Sequence, residues 1–249
     1  MMSVCAGLFA GLGAAWPAAG AELKVQYGEL AALVRTLVAD AKVHIHNVPP
    51  QGLMLFMPMQ QSHVALAGQQ APIEVPTEDG WAPLIGSYSY YVNNLDLTAL
   101  TVADAPGAVR ITMSFDGSGY KIVPSDDRLP SIAWSKPAVS FDLRPVKAGS
   151  SIALEATRVE VKGTLKPECT RQSIFCTYIA LQEAKKKVKE MPARISAQIK
   201  DVINSPAVRD GLAKYLEGYL TLGSLGQVKV KSVTNADKSV TIGFCLQGC

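Results

Sequence analysis

The sequence predicts an α+β fold in which a long, bent antiparallel β-sheet wraps around an N-terminal helix and a long, broken C-terminal helix. Apolar residues recur at helical spacing near the start of the chain and again between residues 173 and 222. The middle of the chain instead alternates apolar and polar residues, as half-buried strands do. Because the helical patterns are segregated from the strand patterns, helices packed on an antiparallel sheet are expected.

The first predicted helix lies in "YGELAALVRTLVADAK". Its apolar residues follow the spacing of one helix face: Leu30, Leu33, Val34, Leu37 and Val38. From Lys42 to Ala103 repeated prolines exclude a helix and favour short extended pieces. Within that stretch "YYVNNLDLTALTV" is predicted to be a strand. One of its faces carries Leu95, Leu97, Ala99 and Thr101.

The central strands give the clearest pattern. The sequence "AVRITMSF" alternates strictly, which points four side chains inward: Val109, Ile111, Met113 and Phe115. Two long strands follow in "SIAWSKPAVSFDLRPV" and "SSIALEATRVEVKGTL", joined at "KAGS". In the second, the alternation shifts by one residue between Ala156 and Val159, which predicts a β-bulge.

Beyond Ser173 the pattern becomes helical, with a kink or new start at Pro192 and another start at Ser205 and Pro206. The buried stripe of this helical region is predicted to contain Ile174, Tyr178, Leu181, Val188, Ile195, Ile199, Val202 and Ile203. The chain then closes with a hairpin around "NADK". One face of its last strand carries Val240, Ile242 and Phe244.

Residues 1–21 have the features of a secretory signal peptide, and residues 22–249 are predicted to form a single domain. The leader has no charge, an apolar run from Val4 to Trp16 and small residues near Ala21, although the usual basic start is missing. A short membrane anchor is the alternative, at the lower length limit of about 18 residues for a spanning helix. The expected location is the periplasm.

Charge and composition narrow the function classes. A net charge of +3 is too small for nucleic-acid binding, which depends on clustered Lys and Arg. With 48% hydrophobic and 18% charged residues, the chain is expected to have a large buried or apolar surface. We find no GxSxG, HExxH or phosphate-binding loop, so we do not expect an enzyme.

Removal of the leader would also remove Cys5 and leave an even number of cysteines, which favours two disulfides in an exported chain. These four are Cys169, Cys176, Cys245 and Cys249. Three pairings are possible, and the sequence does not distinguish the local pairing from the two crossed ones. A zinc site is disfavoured because there are no paired CxxC motifs.

The order of elements resembles the TULIP (tubular lipid-binding) superfamily, in its single-domain bacterial periplasmic form. The resemblance rests on "LAALVRTLV" leading into "KVHIHNV", on the strands from "AVRITMSF" to "RVEVKGTL", and on the long helix containing "CTYIALQEAKKKVKE" and "DGLAKYLEGYL". It implies binding of one or two lipid tails in an elongated apolar cavity. The proline-rich section from Pro49 to Pro83 has no counterpart in that pattern.

All three histidines and three of the seven methionines fall between Val43 and His63. One hypothesis is a copper site built from His44, His46, His63, Met54, Met57 and Met59. The other is that "GLMLFMPM" borders a lipid cavity or belongs to an ordinary core, since flexible methionines suit both. An envelope interaction module without a ligand is a third hypothesis.

The lipid hypothesis predicts a set of lining side chains from the first helix, the methionine-rich segment and a central strand. They are Leu33, Leu37, Met54, Phe56, Met57, Ile111 and Met113. A basic run is predicted either to face solvent or to contact anionic lipid head groups. It consists of Lys185, Lys186, Lys187 and Lys189. No cofactor is expected.

Overall fold

A computed structural model of the chain describes residues 21–49, 62–66, 69–73, 75, 77–82, 84–171, 173–206, 209 and 229–245. Its α-helices are α1 (Tyr27–Leu37), α2 (Leu181–Lys187) and α3 (Met191–Ile203), and a π-helical turn, Phe175–Ala180, leads directly into α2. No helix in these ranges is both long and apolar enough to cross a membrane.

The strands follow in chain order. They are β1 (Ala21–Gln26), β2 (Lys42–Ile45), β3 (His63–Leu66), β4 (Gln69–Pro72), β5 (Glu78–Ala82), β6 (Gly86–Val92), β7 (Leu95–Ala105), β8 (Ala108–Phe115), β9 (Tyr120–Pro124), β10 (Ser131–Ala148), β11 (Ser151–Glu168), β12 (Lys229–Asn235) and β13 (Ser239–Cys245).

Two antiparallel sheets contain these strands. The large sheet has ten strands in the order β4-β3-β2-β7-β8-β10-β9-β6-β5, with β11 also paired to β10. The small sheet has three strands in the order β1-β13-β12, so the start of the domain pairs with the closing hairpin. That hairpin is confirmed, and Val240 and Ile242 of β13 are buried as predicted.

The predicted α+β class is wrong: the described part of the chain is mostly β-sheet, with 55% strand and 22% helix, and its α-helices are three short ones. The proline-rich region accounts for much of the difference. Prolines exclude helices there, but they still permit strands of four to seven residues, and β2 to β6 extend the large sheet on both sides. Pro72, for example, is the last residue of β4.

The long hairpin of β10 and β11 is confirmed and forms the spine of the large sheet. Residues 138–143 of β10 pair with β8, whereas Ile132 and Ala133 pair with β9, so β8 and β9 share the same edge of one strand. The β-bulge predicted in β11 is also confirmed. Asp142 pairs with Arg158 and Leu143 with Ala156, which leaves Thr157 as the extra residue.

The predicted inward face of β7 is only half right. Leu95 is buried, but Ala99 and Thr101 are exposed, and Leu100 and Val102 point inward instead. The register of the β7–β8 pair shifts between Leu97 and Ala99, so one extra residue reverses the alternation.

Helix α1 packs against the large sheet through Tyr27, Ala31 and Val34, which are almost completely buried. The same apolar cluster includes residues from both sheets: Val102, Val109, Ile111, Leu143, Ile152, Leu154, Ala156, Val230, Val240 and Ile242. The helix itself was predicted, but its buried face is rotated toward Tyr27 and Ala31. We call this region the α1 end.

The apolar face of the large sheet continues from the α1 end to α2 without a polar break. Met113, Phe141 and Val159 belong to the α1-end cluster and also to a second cluster that includes Ile195 and Ile199 of α3. Leu165 and Ile195 then join that second cluster to a third one beneath α2, formed by Ile122, Ile132, Val188 and Met191. We call the region of this third cluster the α2 end, and it is here that the structure contains a cavity.

Candidate functional site

A cavity of about 230 Å³ lies between the helical segment that follows Cys169 and the strands β5, β6 and β10. The sheet side of its wall consists of Tyr88, Tyr90, Leu129, Pro130 and Ile132. The helical side consists of Phe175, Ile179, Ala180, Ala184, Val188 and Met191. Charged side chains of β5 and α2 lie around the opening, whereas the depth of the cavity is apolar.

The helical wall is held in place by a disulfide between Cys169 at the end of β11 and Cys176 in the π-helical turn. Cys176 is completely buried, and its backbone N–H donates to Ser173 Oγ at 3.0 Å. The structure therefore selects the local pairing and excludes both crossed pairings. The side chain of Cys245 and all of Cys249 lie outside the described residues.

Two tyrosines on neighbouring positions of one β6 face shape the sheet wall. Tyr90 donates to the Pro130 carbonyl at 3.1 Å, and burial raises the pKa of its phenol, so Tyr90 stays neutral. The Tyr88 ring lies edge-on to Tyr90 and against Gly80 of β5, where a Cβ would overlap the ring. Glycine at position 80 is thus required for this arrangement of the wall.

Large apolar side chains surround the opening and face solvent. Trp81 is 70% exposed and Ile179 is 54% exposed, and both also line the cavity. The prediction that Ile174 and Tyr178 are buried is wrong, since they are 80% and 74% exposed. The π-helical turn buries Cys176 and Ala180 instead, which directs Ile174 and Tyr178 outward.

The four lysines of the predicted basic run are all exposed on α2 and the turn after it. Lys187 lies at the cavity opening, where its Nζ is 3.2 Å from the Tyr88 hydroxyl and 5.9 Å from the ring centroid. Lys186 pairs with Glu183 at 2.9 Å. Lys187 therefore adds a positive charge to an opening that also contains Glu78, Asp79 and Glu183.

The predicted lining residues whose side chains the structure describes, Leu33, Ile111 and Met113, are not among the residues that line this cavity. Ile111 is buried in the α1-end cluster, Met113 is half-buried where the first two clusters meet, and Leu33 is half-buried on α1. The side chain of Leu37 and the whole of Met54, Phe56 and Met57 lie outside the described residues.

Sequence reasoning missed the cavity residues, although one signal was available. The stretch "SIFCTYIAL" has more large apolar residues than a single helical stripe can bury. Such an excess indicates either a helix buried on all sides or one with an apolar face left in solvent. Here the second alternative holds for Ile174 and Tyr178.

The three histidines come together, as the copper hypothesis requires. The His44 ring centroid lies 6.2 Å from that of His46 and 5.5 Å from that of His63, and His44 Nδ1 is 2.6 Å from Asp96 Oδ1. Burial, with a smaller contribution from His44, lowers the pKa of His46. Across the described ranges, however, no three His, Cys, Asp or Glu side chains are arranged to hold a metal ion.

Beside the histidines, an open and mostly polar cleft of about 1290 Å³ separates β2 and β3 from β9. Lys121 is 3% exposed there, and its Nζ contacts the Asn94 carbonyl at 2.7 Å and Asp116 at 3.0 Å. Because that ammonium already has two partners, it stabilises the local structure and is not available as a free cation in the cleft.

Comparisons with solved structures include a weak likeness to one named protein. Neither a family model nor a curated protein sequence matches the chain. The structure is similar to the crystal structure of a lipopolysaccharide binding protein, with a TM-score of 0.31 and 13% identity, over 69% of this chain and 43% of that one. The chain thus spans less than half the length of that protein. At this TM-score, the likeness identifies neither the fold family nor the ligand of the chain.

Proposed function

We propose that this protein binds a lipid or a similar amphipathic molecule by taking up part of an apolar chain in the cavity beneath α2. One observation carries the proposal: the cavity is apolar at depth, has an open mouth and ends a continuous apolar track along the sheet. Each Å² of apolar ligand surface removed from water there contributes about 25 cal/mol.

The size of the cavity limits what it holds. Its volume of about 230 Å³ is below the range of roughly 300–1,000 Å³ typical of pockets that enclose a drug-sized ligand. It therefore accommodates a segment of one chain and not a whole lipid. A polar head group would remain at the mouth, near Lys187 and Glu183.

We propose that the protein acts in the periplasm as a carrier and has no catalytic activity. The apolar run of the leader and the small residues near Ala21 support export, and a disulfide in the wall of the cavity suits an oxidising compartment. The charge at the mouth is mixed, with Glu78, Asp79, Glu183 and Lys187 around the opening, so we propose no preference for head-group charge inside the cavity itself.

The test is a filled-cavity variant. Ala184 is 9% exposed and lines the cavity, so Ala184→Leu would place a larger side chain in the space. Ala197 on α3 is exposed, and Ala197→Leu is the matched control. Binding would be measured by titration with a fluorescent fatty acid without detergent, and bound lipid by mass spectrometry of a solvent extract.

We expect Ala184→Leu to weaken fatty-acid binding by about tenfold or more, since the chain loses on the order of 60 Å² of apolar contact. Ala197→Leu should bind like the unchanged protein. The proposal fails if the two variants bind equally well, or if the unchanged protein neither retains a lipid nor binds the fatty acid.

A further inference from the structure

Exposed apolar side chains are concentrated at one place on the described surface. Six large hydrophobic residues are strongly exposed, and five of them lie on or beside two elements of the cavity wall, where Trp81 and Ile179 line the cavity itself. These five form what we call the rim: Trp81, Leu84, Ile174, Tyr178 and Ile179. The sixth, Val202, lies on α3. Scattered exposed hydrophobics are ordinary, but a group of this kind marks an interaction surface.

Two separate elements build the rim. Trp81 and Leu84 belong to the hairpin of β5 and β6, whereas Ile174, Tyr178 and Ile179 belong to the π-helical turn and the residue before it. The cavity brings the two elements together, because Trp81 and Ile179 both line it. The disulfide fixes the start of the helical element, and Lys187 of α2 contacts the Tyr88 hydroxyl of β6 at 3.2 Å.

The backbone of Leu84 in the rim is conformationally strained. Its φ is +69°, in the left-handed region that non-glycine residues rarely adopt, and its side chain is 83% exposed. Asn, Asp or Gly would be more stable at this turn position. An apolar side chain kept in a strained and exposed position is typical of a functional contact.

Charge distinguishes between possible partners. The segment from residue 183 to residue 190, beside the rim, carries four exposed lysines and two glutamates, a net charge of +2. Lysine is depleted in the centres of protein interfaces. Trp and Tyr together with flanking Lys are instead the residues that favour the boundary of a lipid bilayer, where lysines meet anionic head groups.

We propose that the rim docks this protein on the surface of an anionic lipid bilayer, with the hairpin tip and the π-helical turn inserted among the head groups and the α2 lysines on lipid phosphates. Docking places the cavity mouth at the membrane. The inference rests on the exposed residues and not on the occupancy of the cavity, so it stands or fails separately from the proposed function.

The unchanged protein allows a direct test. Trp81 is in the rim, while Trp134 is 4% exposed, so a difference spectrum against Trp81→Phe isolates the rim tryptophan. We expect Trp81 emission to shift to shorter wavelength with phosphatidylglycerol–phosphatidylcholine vesicles, and brominated lipid to quench it. The net charge of +2 beside the rim predicts about thirtyfold tighter binding of the protein to these anionic vesicles than to vesicles of phosphatidylcholine alone.

A variant pair tests the assignment of the surface. Ile179→Asp places a charge in the rim, and Val202→Asp places the same charge on the exposed hydrophobic residue outside it. We expect the first to lower vesicle co-sedimentation by about tenfold or more and the second to leave it unchanged. Thermal unfolding by circular dichroism would confirm that both variants fold.

Three results would overturn the proposal. The first is absence of any Trp81 shift with anionic vesicles. The second is equal co-sedimentation of the two variants. The third is a dimer in sedimentation velocity that Ile179→Asp dissociates, because the rim would then be a protein interface. Fatty-acid titration in the absence of vesicles reports the cavity alone, so a failure of docking is distinguishable from a failure of ligand binding.

Discussion

The two ends of the apolar face differ in how completely they are filled. At the α1 end, Tyr27 is 1% exposed, Ala31 is 2% exposed and Ala156 is fully buried. At the α2 end, the same sheet and another helical segment leave a cavity and a ring of exposed hydrophobics. Both ends are rich in apolar residues, so hydrophobicity alone does not distinguish a core from a binding surface.

The difference comes from the shape of the packed side chains. Ala31 lets α1 approach the sheet closely, and the small sheet contributes Val230 and Val240 to the same cluster. Beneath α2, the rings of Tyr88 and Phe175 both line a cavity that remains between the helical wall and the sheet. Helices on a sheet therefore indicate a ligand site only where the packing leaves space.

The largest expected effect comes from truncating a buried residue at the α1 end. The matching truncation at the α2 end should have a much smaller effect. Leu143 is 5% exposed in the α1-end cluster, so Leu143→Ala should lower the free energy of unfolding by about 3 kcal/mol. Ile179→Ala removes a half-exposed side chain and should cost less than about 1 kcal/mol. Urea unfolding would measure both, and equal losses would contradict the distinction between the two ends.

The next effect concerns the disulfide, which lies at the α2 end. Cys169 and Cys176 are seven positions apart, and closing a loop of this length stabilises the folded state by about 2.5 kcal/mol. Replacing both cysteines with alanine should lower stability by up to that amount and weaken fatty-acid binding, because the helical wall loses its anchor. A variant that unfolds earlier but binds normally would show that the wall is held by packing alone.

Asn204 joins the two ends and should have a slightly smaller effect. Its amide accepts from the Ala156 N–H at 2.8 Å and donates to the Ala156 carbonyl at 3.1 Å, beside the β-bulge. Asn204→Ala leaves both backbone groups of a fully buried residue unpaired, at a cost of about 2 kcal/mol. Asn204→Asp retains the acceptor for the Ala156 N–H but sets a carboxylate oxygen against the Ala156 carbonyl, so it should not restore the lost stability, and urea unfolding of both variants checks this assignment.

The smallest predicted effect is a pH dependence at the histidine cluster, away from both ends. The pKa of His46 is lowered in the folded protein from 6.5, mainly by burial, so the unfolded chain binds the proton more readily. Stability should be complete above pH 6.5 and decline as the pH falls toward the folded pKa of His46. Asp96 and His44 lie in the same cluster. If a His46→Gln variant kept the same dependence of stability on pH, His46 would not be its source.

The sequence predicted the central strands well, because strict alternation allows one interpretation. Val109, Ile111 and Phe115 are buried, and even the bulge after Ala156 appears as a shift in the pattern. The pattern failed in β7, where the bulge between Leu97 and Ala99 falls among residues too mixed to reveal a shift. Turn residues and alternation depend on neighbouring positions in the chain, so they can be recognised directly in the sequence.

The candidate site was much less predictable. Its walls come from β5, β6, β10 and the helical segment after Cys169, and no local pattern shows that these elements meet. The helical period around Tyr178 was predicted, but its buried face was assigned wrongly, since Ile174 and Tyr178 are exposed. That face depends on the π-helical turn and on which cysteine pairs with Cys176, and the sequence left the pairing open.

The contact between Asn204 and the bulge has a mechanical consequence. Helix α3 is held at its C-terminal end by two hydrogen bonds to Ala156, and its other end begins at Met191 in the cavity wall. The 13 residues of α3 span about 18 Å between these two points. A rotation of only about 5° around Asn204 displaces Met191 by about 1.6 Å, the scale of one methylene. A tilt of α3 alone would therefore change the volume of the cavity, while the strands keep their register.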